Sequence, residues 1–247
     1  MRRLDQALVD RGLCESREKA QRAVMAGLVL VNRHRAAKPS QAVQPEDALT
    51  LAKAERYVSR GGYKLEHALR FFQLEVTGLT AIDLGASTGG FTDCLLQHGA
   101  ARVYAIDVGH GQLAWKLQQD PRVVVLDRVN ARTLKPEDFP DPLTPVDLVT
   151  IDCSFISLRK LLPAAVALLR VFGRIITLIK PQFEAGKADA DKGRGVIKDP
   201  KVHERVIAGL ETFVRAQPVL QWRGVTASPL LGPAGNREFL ALIEKIQ

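Results

Sequence analysis

The chain has 247 residues, 46% of them hydrophobic and 25% charged, which is enough apolar material for one large domain or two smaller ones. Its longest apolar run, Leu161–Leu169, is too short to span a bilayer and contains a proline, and the basic N-terminus lacks the apolar stretch of a secretory leader, so no membrane span or signal peptide is expected. The net charge of +8 is uneven: residues 1–60 carry 12 Lys and Arg against 7 Asp and Glu, and the remainder carries 23 against 20. That asymmetry points to a polyanion partner for a small basic module, although charge alone fits a merely soluble basic surface as well. Cys14, Cys94 and Cys153 are far apart and lack metal-ligand spacing, so reduced thiols in a cytoplasmic protein and no metal site are expected.

Residues 1–59 read as one compact module. "RLDQALVDRG" puts Leu4, Ala7 and Leu8 on one helical face and stops at Gly12. Ser16 is placed to cap a second helix, "REKAQRAVMAG", whose Ala20, Ala23 and Val24 share a face and which stops at Gly27. "LVLVN" and "DALTLA" follow as strands. Arg2, Arg3, Arg11, Arg17 and Arg22 ride on the helices, and phosphate contacts through such arginines would make binding salt-sensitive.

The bridge "ERYVSRGGYKLEHALRFF" is broken at Gly61-Gly62, with a helix expected from Tyr63. From residue 79 strands and helices alternate: strands at "TAIDL", "RVYAID", "RVVVL", "VDLVTID", "RIITLIK", "VLQWRGVTA" and "REFLALIE", and helices near 89–98, 111–119, 157–171 and 199–216. This alternation predicts an α/β domain over 60–247, a Rossmann-like, doubly wound sheet of seven mostly parallel strands, with its ligand site at the carboxyl edge.

"AIDLGASTGGFTD" lies between the first of these strands and its helix. Gly85, Gly89 and Gly90 allow a sharp turn and close approach of a ligand, with Ser87 and Phe91 in the same loop. The loop is neither the dinucleotide fingerprint nor a phosphate-binding loop with lysine. Asp83 precedes the first glycine and Asp107 ends the next strand 24 residues later, where an acid can hold ribose hydroxyls. A leading carboxylate suits a cationic, amino-bearing ligand such as S-adenosylmethionine better than a pyrophosphate; a nucleotide cofactor and purely structural glycines are the alternatives. Asn130, with Asp127 nearby, is expected in the adenine pocket.

"IITLI" reads as a buried strand that runs straight into Lys180, with Pro181 closing it. An ammonium at such an edge needs a partner. Asp152 ends the preceding strand, so the two can meet, and Lys64 and Glu238 are further candidates for the same cleft. From spacing alone, Lys64 and Glu238 fit ordinary surface charges better than a shared cleft. Asp152 is followed by Cys-Ser-Phe, which matches neither the N-P-P-Y type of base-nitrogen enzymes nor a Pro-Cys nucleophile, so Cys153 reads as packing. The long basic loop 184–200, with Lys187, Lys192, Arg194 and Lys198, reads either as a lid that faces RNA or, equally, as a disordered surface loop.

With those blocks in order, "RYVSRGGYKL", "DLGASTGGFTD", "VGHGQLAWKL", "DPRVVVLDRVNAR", "DCSFISL", "IKPQFEAG" and "SPLLGPAGNREF", the chain resembles the haemolysin-A-like (TlyA) family of ribosomal RNA 2′-O-methyltransferases over nearly its whole length. Residues 1–59 resemble the RNA-binding domain named after ribosomal protein S-four, although Arg33 stands where that module usually has glycine, and Tyr57 where relatives often have tryptophan. The catalytic part is similar to FtsJ-type enzymes, whose Lys-Asp-Lys-Glu tetrad falls by motif position on Lys64, Asp152, Lys180 and Glu238. The resemblance implies S-adenosylmethionine as cofactor and a ribose 2′-hydroxyl of cytidine in rRNA as acceptor with a lean to the large subunit; with RNA as partner, the basic residues expected to contact it are Arg2, Arg3, Arg17, Arg22, Arg60, Lys187 and Arg194. It also implies a cytoplasmic protein acting on ribosomes or their subunits, with a monomer slightly favoured. A ribosome-binding factor with an inactive enzyme domain is the competing reading. A membrane-lytic haemolysin is disfavoured by the missing spanning segment and by an aromatic content of 6%.

Overall fold

The computed structural model describes residues 1–52, 55–186, 189 and 193–247, and it divides into two compact units, Met1–Arg56 and Tyr57–Gln247. In the first unit, helix α1 (Leu4–Asp10) and helix α2 (Arg17–Met25) lay Leu4, Ala7, Leu8, Ala20 and Val24 against Val29, Val31, Val43 and Leu49. Ser16 caps α2 as its side chain predicts, accepting from Lys19 N at 3.2 Å. Two-residue strands that period-two patterning is too short to reveal frame the unit. They are β1 (Arg2–Arg3) and β4 (Ala42–Val43), which pair antiparallel, and β3 (His34–Arg35), which joins β2 (Val29–Val31) and β5 (Leu49–Leu51) in order β3-β2-β5. Asn32 and Arg33 turn the β2–β3 hairpin with φ of 51° and 69°. Two positive φ values in a two-residue loop are what a type I′ turn demands, so the hairpin survives without the usual glycine.

The second unit is a sheet of seven strands in the order β11-β12-β10-β9-β6-β7-β8. Strands β6 (Thr80–Leu84), β7 (Arg102–Asp107), β8 (Val123–Asp127), β9 (Val146–Ile151) and β10 (Leu169–Ile179) run parallel, while β12 (Phe239–Lys245) lies antiparallel to both β10 and β11 (Leu220–Ala227). The chain moves outward from β6 to β8 and then returns to β9 on the other side of β6. The crevice at the carboxyl ends of β6 and β9 is therefore a topological switch point.

Side chains alternate across the sheet. Ile175 and Ile179 join the face covered by α6 (Leu158–Leu168) and α8 (Pro200–Arg215). Ile176 and Leu178 join the opposite face, under α3 (Gly61–Phe71) and α4 (Gly90–Gln97). Burial on both faces is why these strands read as near-continuous apolar runs.

Three boundaries differ from the expectation. The helix near 111–119 shrinks to α5 (Trp115–Gln118), because Asp107 and Asp127 hold the preceding loop through the backbone N–H groups of Gly109 and Gly111. The helix expected to reach 171 ends at Leu168. Leu169 already pairs with Val146, and a bulge at residues 170–173 separates it from the main ladder. The third helix starts at Gly61 rather than Tyr63, so Gly61-Gly62 opens the helix instead of breaking the chain.

Gly62 is required by contact: a Cβ there would fall 2.2 Å from Cγ of the buried Tyr57 ring. Helix propensity alone would make Gly62→Ala stabilising by about 1 kcal/mol. Overpacking against a buried ring costs roughly 1–3 kcal/mol and wins. We expect Gly62→Ala to lower the melting temperature by several degrees in a calorimetric scan; a rise would show that Tyr57 yields freely.

Candidate active site

The glycine loop is shaped by hydrogen bonds from its own backbone. Gly85 N and Ala86 N both donate to Ile106 O, at 2.9 and 3.0 Å, bending the chain out of β6. Gly85 has φ +81°, and a Cβ on it would meet Asp152 O at 2.9 Å. On the other side Asp152 N donates to Leu84 O at 2.9 Å, so the ends of β6 and β9 are locked together where Asp152 emerges. Ser87 N donates to Asp107 Oδ2 at 2.8 Å, and Gly109 N to Asp107 Oδ1 at 2.7 Å. Asp107 thereby joins two loops at the edge of one cavity.

Two cavities open at this edge. The first, about 300 Å³, is lined by all four tetrad residues, Lys64, Asp152, Lys180 and Glu238, together with Ser59, Arg60, the loop at 85–88 and 90–91, and Ser154. Lys64 Nζ lies 2.5 Å from Glu238 Oε2, with side chains 9% and 1% exposed. Lys180 Nζ lies 2.7 Å from Asp152 Oδ1, with side chains 9% and 24% exposed. An unpaired ammonium would not be tolerated at that burial. Lys64 and Glu238, which spacing alone left as possible surface charges, are thus a buried pair. The directional hydrogen bonds of Lys180 go to Ser154 Oγ at 2.9 Å and to Asp152 O at 3.4 Å. Its contact with Asp152 Oδ1 is close but not aligned, which leaves that buried oxygen with capacity for a further donor. Arg60 caps α3 and is exposed at the cavity wall.

The second cavity, about 440 Å³, is lined by Asp107, Asn130 and Gln112 among apolar Ile106, Val108, Val129, Ile156 and Leu161, with Phe155 at its wall. Apolar walls with a few polar groups suit a nucleoside. Gly85, Ser87, Asp152 and Ser154 line both cavities, so they form a shared waist. The absence of any side chain at Gly85, the acid Asp107 at the rim and the open acceptor of Asp152 all fit an adenosyl group bearing a cationic sulfur.

Several predicted residues sit elsewhere or play other parts. Asp83 does not face the cleft. It is fully buried, its Oδ2 accepting from Thr92 N (3.0 Å) and Thr92 Oγ1 (2.7 Å) and its Oδ1 from Thr150 Oγ1 (2.9 Å). Those bonds fix the start of α4 to the end of β6 and to β9. Asp127 does not line the nucleoside cavity but accepts from Gly111 N at 2.8 Å and contacts His110 Nδ1 at 2.9 Å, bracing the loop beside it. Gly89 takes φ +93° ahead of α4, and Phe91 is buried against that helix's core while touching the first cavity. Burial, and next the charge of Asp152, push the Cys153 thiol up to about 12, so it stays protonated and is no nucleophile.

Arg2 pairs with Asp10 and Arg22 with Glu18, both exposed, while Arg3 and Arg17 pair with Asp5. Arg194 is exposed at a turn with φ 50°. The expectations for Lys187 and Lys192, and with them the middle of the lid, lie outside the described residues.

Sequence reasoning missed Ser154 and Glu184. Pro181 opens a short helix, α7 (Pro181–Glu184), and Glu184 accepts from Leu158 N and Ser157 Oγ, each at 2.7 Å. That ties the turn after Lys180 to the start of α6. Ser154 was visible as the hydroxyl two places after Asp152. Glu184 left no signal, since its partners lie 26 and 27 residues away.

Residues 57–245 match the family model described as FtsJ-like methyltransferase, and residues 2–49 match the S4 domain. The chain is 49% identical over 241 residues to a protein of Mycobacterium tuberculosis named 16S/23S rRNA (cytidine-2′-O)-methyltransferase TlyA, covering 96% of this chain and 87% of the relative. It is 41% identical to Hemolysin A of Brachyspira hyodysenteriae, covering 97% and 98%. A hemolysin-titled solved structure from Streptococcus thermophilus superposes with a TM-score of 0.74 at 44% identity, covering 99% of this chain and 88% of that one.

Burial raises Asp83 to about 6 from the ordinary 3.8, outweighing its bonds to Thr92 and Thr150. A folded-state value above the unfolded one means that the folded protein holds the proton longer. Stability is therefore highest below pH 4 on this account and is lost as pH rises through about 6, by on the order of 3 kcal/mol. Asp83→Asn, which can still accept from Thr92 N, should flatten the fall in unfolding free energy between pH 4 and pH 7 in denaturant titrations. Identical pH dependence in both proteins would contradict the raised value.

Proposed function

Because the chain belongs to the FtsJ-like methyltransferase family and carries an S4 domain ahead of the catalytic unit, we propose that it transfers the methyl group of S-adenosylmethionine to a ribose 2′-hydroxyl of ribosomal RNA, on a cytidine. The observation that carries this reading is the convergence of Lys64, Asp152, Lys180 and Glu238 on one cavity as two buried ion pairs. Two cations and two acids from four separate parts of the chain line one cavity there, the arrangement a proton transfer beside a charged donor calls for. When bound, S-adenosylmethionine supplies an electrophilic methyl carbon on a positively charged sulfur.

The residues of the chain supply the rest. A 2′-hydroxyl is a weak nucleophile, and its attack needs orientation and removal of its proton. Lys180 sits at the waist beside Asp152, held from two sides by Ser154 Oγ and Asp152 O. With donor and acceptor bound, the amine of Lys180 would orient the hydroxyl and receive its proton. Asp152 holds the ammonium that results. Lys64, locked to Glu238, lines the same cavity and completes the charge-balanced set of two cations and two acids around the acceptor. The apolar cavity with Asp107 and Asn130 holds the nucleoside end of the donor.

The S4 domain gives the module that engages rRNA, consistent with the basic bias of residues 1–60. Work on ribosomes would put the chain in the cytoplasm. Separately, no helix among the described residues is long and apolar enough to cross a membrane. The relatives' names include both 16S and 23S rRNA, and we lean to the large subunit.

Lys180→Ala should reduce single-turnover transfer of a tritiated methyl group to ribosomal subunits by roughly a hundred- to ten-thousand-fold, while calorimetry shows donor affinity nearly unchanged. Transfer near the wild-type rate would remove Lys180 from the centre of the chemistry. The same assay on free rRNA, small subunits, large subunits and whole ribosomes, followed by mapping of the methylated nucleotide, identifies the acceptor. Lysis of RNA-free lipid vesicles by the purified chain, without methyl transfer, would favour the membrane-acting role that some relatives' names carry.

A further inference from the structure

Asp5, in the first turn of α1, has no exposed surface, yet it is surrounded by cations. Its Oδ1 accepts from Arg3 Nε at 3.1 Å. Its Oδ2 accepts from Arg3 Nη2 at 3.0 Å, Arg17 Nε at 3.0 Å and Gln21 Nε2 at 2.9 Å. Hydrogen bonding to Arg3 foremost, then to Gln21 and Arg17, holds its carboxyl well below the usual carboxylate range despite burial. One fixed negative charge therefore faces two positive ones.

The guanidinium groups are pinned by their inner edges only. The side chains of Arg3 and Arg17 remain 46% and 56% exposed. Arg3 Nη1 and both terminal nitrogens of Arg17 make no hydrogen bond or ion pair among the described residues, so these donors remain available. The other arginines of these helices differ. Arg2 and Arg22 are each matched one-to-one by an exposed acid, Asp10 and Glu18, in pairs that salt and water weaken and that leave no local excess of charge.

We propose that Asp5 is a positioning residue for RNA binding: it sets Arg3 and Arg17 as a rigid, two-pronged phosphate clamp on the first unit, and the unit's affinity for RNA depends on that buried carboxylate. This rests on the reading of the chain as an rRNA-binding enzyme. A fork held in place loses less freedom when it meets a phosphate than a free side chain does, and its planar donors match phosphate oxygens two at a time. The clamp ranks Arg3 and Arg17 above Arg2 and Arg22 as phosphate contacts.

The inference opposes simple charge counting. Asp5→Asn makes the unit more positive by one, so charge alone predicts tighter binding to any polyanion. Positioning predicts weaker binding, because the amide cannot hold two guanidinium groups.

The test uses the full chain with isolated large and small ribosomal subunits as probes and a short RNA duplex as a non-cognate polyanion, titrated over a range of salt. We expect Asp5→Asn to weaken binding to its preferred subunit by about tenfold or more and to lower the slope of log affinity against log salt by about one to two. Arg17→Lys, a surface change that keeps the charge and the fold but loses the Nε donor, should act in the same direction. Circular dichroism melting and donor binding, which report on folding and on the second unit, should be preserved in Arg17→Lys. Wild-type binding to subunits with unchanged or tighter binding by Arg17→Lys overturns the clamp, as does unchanged or tighter binding by a folded Asp5→Asn. If the wild-type chain binds neither subunit, the rRNA reading itself fails and the clamp with it.

Discussion

Two ammonium groups sit almost out of water at the carboxyl edge of one sheet, and each is there because a carboxylate lies against it. Lys180 against Asp152 and Lys64 against Glu238 set the terms for everything around them. The cost of burying four charges is met only if the pairs are held in good geometry and the remaining lone pairs and protons are satisfied. Strand β10 must therefore end at Lys180, Pro181 must start a new helix at once, and Glu184 must tether that helix to α6. Gly232 belongs to the same set, since a Cβ there would fall 2.5 Å from Glu238 Oε1. The chemistry of the edge is thus also its packing problem, and the two share one solution.

The sheet was largely legible because its signal is local. "TAIDL", "VDLVTID" and "RIITLIK" are apolar on both faces, and that pattern needs no knowledge of what packs on them. The helix cap at Ser16 is local as well. Placing Lys180 and Asp152 side by side also needed only the order of two strands. The pairing of Lys64 with Glu238 did not follow from pattern, because the partners are 174 residues apart; motif resemblance brought them in. Asp83 shows the opposite failure. Its position before the glycine loop invited a role in the cleft, but the threonines that bind it, Thr92 and Thr150, lie on another helix and another strand and turn the carboxylate inward. Asp5 left no mark in the sequence for the same reason, since a buried acid among arginines reads in one dimension as just another surface charge.

The two units spend charge in opposite ways. In the catalytic unit each buried cation has its own acid, and the site is close to neutral. In the first unit one acid serves two arginines and leaves positive charge to spare. The former arrangement suits a reaction in which a proton must change hands without a large change in local field. The latter suits attraction of a phosphate backbone, where excess charge is the source of affinity. Arg33 at φ 69° follows the same logic at small scale, placing a cation at a hairpin tip where the related modules usually spare the backbone with glycine.

Gly85, Ser87, Asp152 and Ser154 belong to the walls of both cavities. A partition shared by two ligands makes their affinities mutually dependent by thermodynamic necessity: whatever factor a bound donor applies to the acceptor's affinity, the acceptor applies to the donor's. Under the proposed reading, the donor's charge would be felt through that same partition, and its loss on turnover would alter the field at Asp152 and Lys180 where the methylated ribose has to leave. Product release and chemistry would then meet at one wall of four residues.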